Sequence, residues 1–267
     1  MARTPHPLVV SLGLFTTLPM PAVATIDRRL AGRAMAWFPA VGVILGVLAG
    51  GVTWGVSALA GPLLGSVLGL AALAALTGAL HLDGVADTAD GLGSRAPAAR
   101  ALEIMRRSDI GPMGVVTLVF VLLIDAAALS SLIAAGTLLA GPVALVLAVV
   151  VGRAAVVCST TPADAGARTQ GFGALFHGVT STATAVVWSV VAVLLAAAAG
   201  WGVAGLTGAV SLAAAAVVAL CAGWLWRRRL ARRLGGMTGD TFGSIIEVTQ
   251  AVFLVAAAMG FGVSALA

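Results

Sequence analysis

Apolar residues in this chain come in long runs instead of alternating with polar ones. Runs that a helix could carry across a bilayer cover residues 34–59, 62–82, 111–135, 138–158, 179–199, 203–226 and 241–265. Each reaches the roughly 20 residues that a helix needs to cross a hydrocarbon core. A further stretch, 7–18, is too short to cross; a cleaved signal peptide is the alternative reading, but its basic region is the single Arg3 and its small-residue cleavage pattern is poor. The pattern predicts an all-α fold: a polytopic transmembrane helical bundle of about seven spans plus a short N-terminal interfacial or re-entrant helix. A single integral membrane domain is expected over 1–267.

Composition excludes an ordinary soluble protein. Hydrophobic residues make up 60% and charged ones 9%, with a mean hydropathy of +1.10, whereas a soluble domain is roughly 25% charged. All 15 basic residues are arginine. All but Arg3 gather in segments 27–33, 83–109, 153–168 and 227–240, while the connectors 60–61, 136–137 and 200–202 carry no charge. The positive-inside rule puts the four charged segments in the cytoplasm, so the net charge of +5 reports topology and not a nucleic-acid partner. The expected setting is the cytoplasmic (inner) membrane, with an active site facing the cytoplasm. Cys158 and Cys221 lie in apolar surroundings without ligand spacing and are expected to be small buried hydrophobes.

Against this background the run His81-Leu82-Asp83-Gly84-Val85-Ala86-Asp87-Thr88-Ala89-Asp90-Gly91 stands out. If the helix over 62–82 continues past the membrane surface, Asp83, Asp87 and Asp90 fall at i, i+4 and i+7 and share one face. Like charges so spaced repel, and a bound cation resolves the repulsion. Hard oxygen donors without cysteine suit Mg²⁺, which commonly completes its shell with water and substrate phosphate. The plainer alternative is a solvated acidic helix end. His81 is either a hydrogen-bonded interfacial residue or a group for substrate contact and proton transfer.

A second constellation spans 235–247, with Asp240, Ser244 and Glu247 again at i, i+4 and i+7. Glu247 falls about two turns into an apolar helix, where an ionisable group is costly and calls for a partner. Topology puts both sets on one side, so they can converge on one metal centre or two. Arg95, Arg100, Arg106 and Arg107 flank Glu103 in an expected short helix over 98–108, and Arg153 and Arg168 are placed in the next charged loop. Arginine grips phosphate with a planar fork, though each of these can equally set topology or bind anionic lipid heads. Asp109 is an additional acidic contributor or a loop acid, and His177 reads as interfacial. Asp125 falls in the middle of a span, where a lone carboxylate costs several kcal/mol unless it is protonated, paired or in a wet cavity. An arginine from a neighbouring helix or a homodimer partner would satisfy it.

Three ordered motifs together resemble the cobalamin synthase family, the adenosylcobinamide-GDP ribazoletransferases: His81 to Gly91, Leu102 to Gly111, and Gly239-Asp240-Thr241-Phe242-Gly243 with Glu247. Phe38-Pro39 and the Gly-Gly-x-Thr-Gly-Asp element at 235–240 belong to the same resemblance, which covers nearly the whole chain. It implies an Mg²⁺-dependent membrane enzyme that joins α-ribazole, or its 5′-phosphate, to the cobinamide phosphate of adenosylcobinamide-GDP and releases GMP. On that footing the ribazole 3′-hydroxyl attacks the phosphate on the aminopropanol arm, a phosphoryl transfer governed by positioning and charge neutralisation. Asp83, Asp87 and Asp90 would hold Mg²⁺ and the bridging phosphates, and one of them, Asp240 or Glu247 would take the hydroxyl proton. His81, Arg106, Arg107, Arg153 and Ser244 would contact substrate, Arg106 and Arg107 on the guanosine side. Two rival classes remain. A CDP-alcohol phosphatidyltransferase uses Asp-Gly-x-x-Ala-Arg, whereas here Ala86 is followed by Asp87 and the spacing is compressed. An ion-coupled transporter would place its acids deeper and leave the arginines without a phosphate to meet.

Overall fold

A computed structural model describes residues 5–23, 25–135, 137–163, 166–167 and 171–266. The apolar runs appear as helices: α1 (Pro7–Phe15), α2 (Arg28–Ala36), α3 (Phe38–Ala60), α4 (Pro62–Thr77), α5 (Leu80–Gly93), α6 (Ala98–Ile104), α7 (Pro112–Ala135), α8 (Ala140–Ser159), α9 (Phe172–Leu175), α10 (Thr182–Leu234) and α11 (Gly239–Leu266). The only extended pairing among the described residues is an isolated bridge between Gly166 and Met237. The all-α expectation holds.

Two elements change the span count. By length and hydropathy five helices can cross a bilayer, or six if the bent pair α4–α5 is one span. Two of the seven expected runs, 179–199 and 203–226, lie together in α10, whose backbone leaves helical geometry at Ala204 and Gly205. There the element folds back on itself. Cys158 shows this directly: its Sγ lies 3.4 Å from Ser189 Oγ, and its carbonyl accepts a 2.7 Å hydrogen bond from Arg227. In one straight helix Ser189 and Arg227 would stand roughly 55 Å apart.

The other change is at residues 78–79. The run 62–82 does not continue as a straight helix through the acidic motif. Gly78 and Ala79 both adopt left-handed backbone (φ 59° and 57°), and α5 leaves α4 at 92°. Glycine takes that conformation without strain and ends helices for this reason. The acids therefore sit on a helix of their own, turned across the direction of α4. The end of α1 is fastened at the same bend, where Thr17 N donates to Leu76 O at 2.9 Å. At nine residues α1 is too short to span, as expected.

Helix α8 is the central post. In its most apolar window 83% of residues are buried, against 28–50% in the other long helices. It packs on α3, α10, α11 and α7. Gly42, Gly46 and Gly50 bring α3 onto it so closely that a Cβ at Gly46 would lie 2.8 Å from Val146 Cα, the small-residue packing on which lipid-embedded helices depend. Outward faces stay apolar, with Val47 and Trp54 on α3, Phe120 and Leu123 on α7, and Val186 and Leu194 on α10 all exposed. In a bilayer these meet lipid tails. Both cysteines are free thiols, but Cys221 is exposed on α10 and is not buried as expected.

The charged segments meet at one end of the bundle. Arg28 of α2 donates to the carbonyls of Ala174 and His177, Arg233 of α10 to that of Ala96, and Arg227 to that of Cys158. Segments far apart in sequence are thus tied by guanidinium-to-carbonyl bonds around one polar rim.

Candidate active site

The two acidic motifs come together because each carries a glycine at the point where α5 and α11 cross. A Cβ on Gly84 would lie 2.5 Å from Asp240 O and 3.1 Å from its Cα, and one on Gly243 would lie 3.0 Å from His81 O. Only hydrogen fits there. The start of α11 is fixed by a reciprocal cap: Thr238 N donates to Thr241 Oγ1 at 2.8 Å, and Thr241 N donates to Thr238 Oγ1 at 3.2 Å. This is a capping box built from two threonines. Thr238 Oγ1 also lies 3.3 Å from Asp240 Oδ2, to which it donates.

Asp83 and Asp240 accordingly line one open cavity of about 380 Å³, together with His81, Thr238 and Gly239. Aromatic side chains line it as well: the Phe15 ring of α1 lies tilted, 4.4 Å from that of Phe38 and 5.4 Å from that of Phe176 (ring centroids), and Phe242 lines the cavity two residues after Asp240. Gly171, Gly173 and Ala174 close one side, and a Cβ at Gly173 would collide with Gly239 N. The cavity thus combines hard oxygen donors with an apolar, aromatic lining.

Behind His81 lies a buried polar network. His81 Nδ1 is 3.8 Å from Glu247 Oε1, and Gln250 Nε2 donates to Glu247 Oε2 at 2.8 Å. Arg153 is 0% exposed and lies inside α8, not in the charged loop where the sequence placed it. Its Nη1 donates to Val149 O at 3.1 Å and to Gln250 Oε1 at 3.4 Å, and its guanidinium lies 5.4 Å from the Phe38 ring centre. Arg153 and Glu247 therefore stand behind the cavity wall, and their route to substrate runs through His81 and Phe38. Neither lines the cavity itself.

Other expected site residues are placed elsewhere. Asp87 is half-buried on α5, one turn beyond the exposed Asp83. Among the described residues no three His, Cys, Asp or Glu side chains gather as a metal-holding group, so Asp83, Asp87 and Asp90 do not form a closed triad. Asp90 is turned to α7: its Oδ2 accepts from Gly111 N at 2.7 Å and its Oδ1 from Gly114 N at 2.9 Å. Both oxygens satisfy amides that the start of a helix leaves open. Asp90→Ala should consequently lower stability by about 1–2 kcal/mol of lost capping, read as a fall in Tm. A Tm equal to that of the wild type would mean that the start of α7 does not depend on Asp90.

Ser244 is also turned away, accepting a 2.8 Å bond from Trp226 Nε1 of α10. Arg106 and Arg107 are exposed in the turn after α6, off the cavity wall, and the helix expected over 98–108 ends at Ile104. Asp109 is exposed beside them. Arg168 lies outside the described residues. Asp125 is 2% exposed inside the bundle and forms no ion pair with an arginine among the described residues, so the arginine partner expected for it is not found there. Reading the sequence did not single out Phe15 or Phe176, whose apolar surroundings hide them, or the Gly171-to-Ala174 wall, whose only signal is its pair of glycines.

Comparison with known proteins agrees with this geometry. The family model described as cobalamin-5-phosphate synthase matches residues 7–258. An adenosylcobinamide-GDP ribazoletransferase of Frankia casuarinae is 42% identical over 263 residues, covering 92% of each chain. One of Stutzerimonas stutzeri is 40% identical over 263 residues, covering 96% of this chain and 99% of its own. One of Klebsiella pneumoniae is 36% identical over 248 residues, covering 92% and 96%. No solved structure matches the chain. The match runs through α5, α11 and every wall of the cavity, and on it the chain belongs to the cobalamin-5-phosphate synthase family.

Proposed function

We propose that the chain transfers the cobinamide-phosphate part of adenosylcobinamide-GDP to α-ribazole, or to its 5′-phosphate, releasing GMP and forming adenosylcobalamin or its 5′-phosphate. The observation that carries this is the crossing at Gly84 and Gly243, which brings Asp83 and Asp240 to one cavity that aromatic rings also line. Family membership displaces the phosphatidyltransferase and transporter readings.

The donor set fits Mg²⁺. Asp83 and Asp240 supply hard oxygens at one mouth and Asp87 stands one turn along α5, donors of the kind that suit an ion taking its remaining ligands from phosphate and water. When bound, Mg²⁺ would neutralise charge on the bridging pyrophosphate. The chain does the rest by positioning. Phe15, Phe38, Phe176 and Phe242 give the cavity an apolar lining that suits the flat base of ribazole, and Thr238 fixes the Asp240 carboxylate. A carboxylate at that wall accepts the 3′-hydroxyl proton as the hydroxyl attacks. Glu247 and Arg153 hold the His81 ring and Phe38 from behind. A cavity of about 380 Å³ has room for a nucleoside-sized ligand, so the corrin rests outside at the open mouth. The shared rim of arginines supports a cytoplasmic orientation in the inner membrane, and the outer apolar belts support lipid as the surrounding partner.

The test is purified protein in lipid with Mg²⁺, adenosylcobinamide-GDP and α-ribazole, followed for GMP and for the joined corrin. Stoichiometric formation of both, abolished by chelator, is expected. GMP without joined corrin, or no product in active lipid, would sink the assignment.

A further inference from the structure

On the far side of Glu247 from the catalytic cavity lies a second, small cavity of about 20 Å³. Asp125 of α7, Glu247 and Gln250 of α11 and Thr77 of α4 supply its polar lining, and leucines supply most of the rest. Asp125 is 2% exposed, and its Oδ1 has no hydrogen-bond partner. Glu247 and Gln250 are 7% and 4% exposed. The charged or titratable groups around this cavity are Asp125 from α7, Glu247 from α11, Arg153 from α8 and His81 from α5, while the lining contributed by α4 is uncharged. Two carboxylates with one guanidinium in the same network leave a negative charge over, among side chains that are mostly aliphatic. A buried charge left over in this way is expensive, and so is an acceptor oxygen with no donor.

We propose that Asp125 and Glu247 together bind one monovalent cation in this cavity, either a proton held between the two carboxyl groups or Na⁺ bridging them. Both supply the same missing positive charge to the same unpartnered oxygen. The space suffices for one water-sized species, which needs roughly 10–15 Å³ on this measure. Asp83 and Asp240 are not part of the site, which is separated from the catalytic cavity by His81 and the Glu247 side chain itself.

Thermal unfolding of the full-length protein in detergent tests this, with wild type and Asp125→Asn compared from about pH 6 to about pH 9. The salts are Na⁺ and N-methylglucamine chloride at equal ionic strength. A folded state that holds a proton the unfolded chain releases loses stability as pH rises. Without Na⁺, wild-type Tm should therefore fall by roughly 3–5 °C per pH unit more than that of Asp125→Asn, in which no negative charge is left over. If Na⁺ is the occupant, adding it at high pH restores the wild-type Tm and leaves that of Asp125→Asn unmoved. If the loss with pH persists in Na⁺, the occupant is a proton. Glu247→Gln removes the same excess charge and should behave as Asp125→Asn does, so a folding failure of one variant leaves the other to be read. Equal pH and Na⁺ dependence in wild type and a folded variant, or a wild-type Tm indifferent to both, overturns the site.

Discussion

Asp83→Asn and Asp240→Asn should each lower kcat by about 10³-fold or more while leaving the purified protein helical and with a nearly unchanged Tm. Asparagine keeps the size of the side chain and removes the charge that neutralises or orders the phosphates in the transition state, a loss of the size seen when a preorganised electrostatic group is deleted. Both carboxylates lie at the open cavity and neither is a core group, so stability should be little affected. Asp109→Asn, on an exposed loop acid off the cavity wall, is the matched control and should keep its rate. Mg²⁺ titrations separate the roles: a ligand variant needs more metal to reach half-maximal rate, whereas a lost proton acceptor shows in kcat at saturating metal. Near-normal turnover in both variants would remove the acids from the chemistry altogether.

Gly84→Ala should cost about 10²-fold in turnover, the second largest effect, without removing any polar group. The added methyl would meet backbone atoms of Asp240, which cannot rotate away. Helices α5 and α11 must then move apart. Overpacking of this kind costs about 1–3 kcal/mol, and a shift of about 1 Å between reacting groups is enough for the loss in rate. Gly51→Ala is the control, since a Cβ there meets nothing within 4 Å. Measured side by side, the pair distinguishes damage to the crossing from a general effect of replacing glycine. Equal activity in both would mean that the crossing does not set the catalytic geometry.

Hydrophobic periodicity revealed the helices because length and apolarity alone decide what can cross lipid, and it placed α3, α7, α8 and α11 to within a few residues. It could not reveal where an apolar run turns. Residues 78–79 read as part of a span, since glycine and alanine are both acceptable in one, and only the backbone shows the left-handed pair. Arg153 was assigned to a loop on its charge, although the network of Gln250 and Phe38 lets it lie in the core. Asp90 illustrates a different limit. Its spacing from Asp83 and Asp87 is helical, but spacing says nothing about the α7 amides that take both its oxygens. The pairing of Asp83 with Asp240 was legible as convergence on one side of the membrane. The aromatic lining was not, because phenylalanines such as Phe15 and Phe176 look like any other apolar residue until a cavity opens beside them.

The 92° turn between α4 and α5 also makes the site depend on backbone that carries no chemistry of its own. By leading the chain sideways, it lays the acidic helix as a shelf across the end of α4, where Gly84 meets the start of α11 and Asp83 shares a cavity with Asp240. A change that straightened the bend would separate the two acids while leaving both side chains intact.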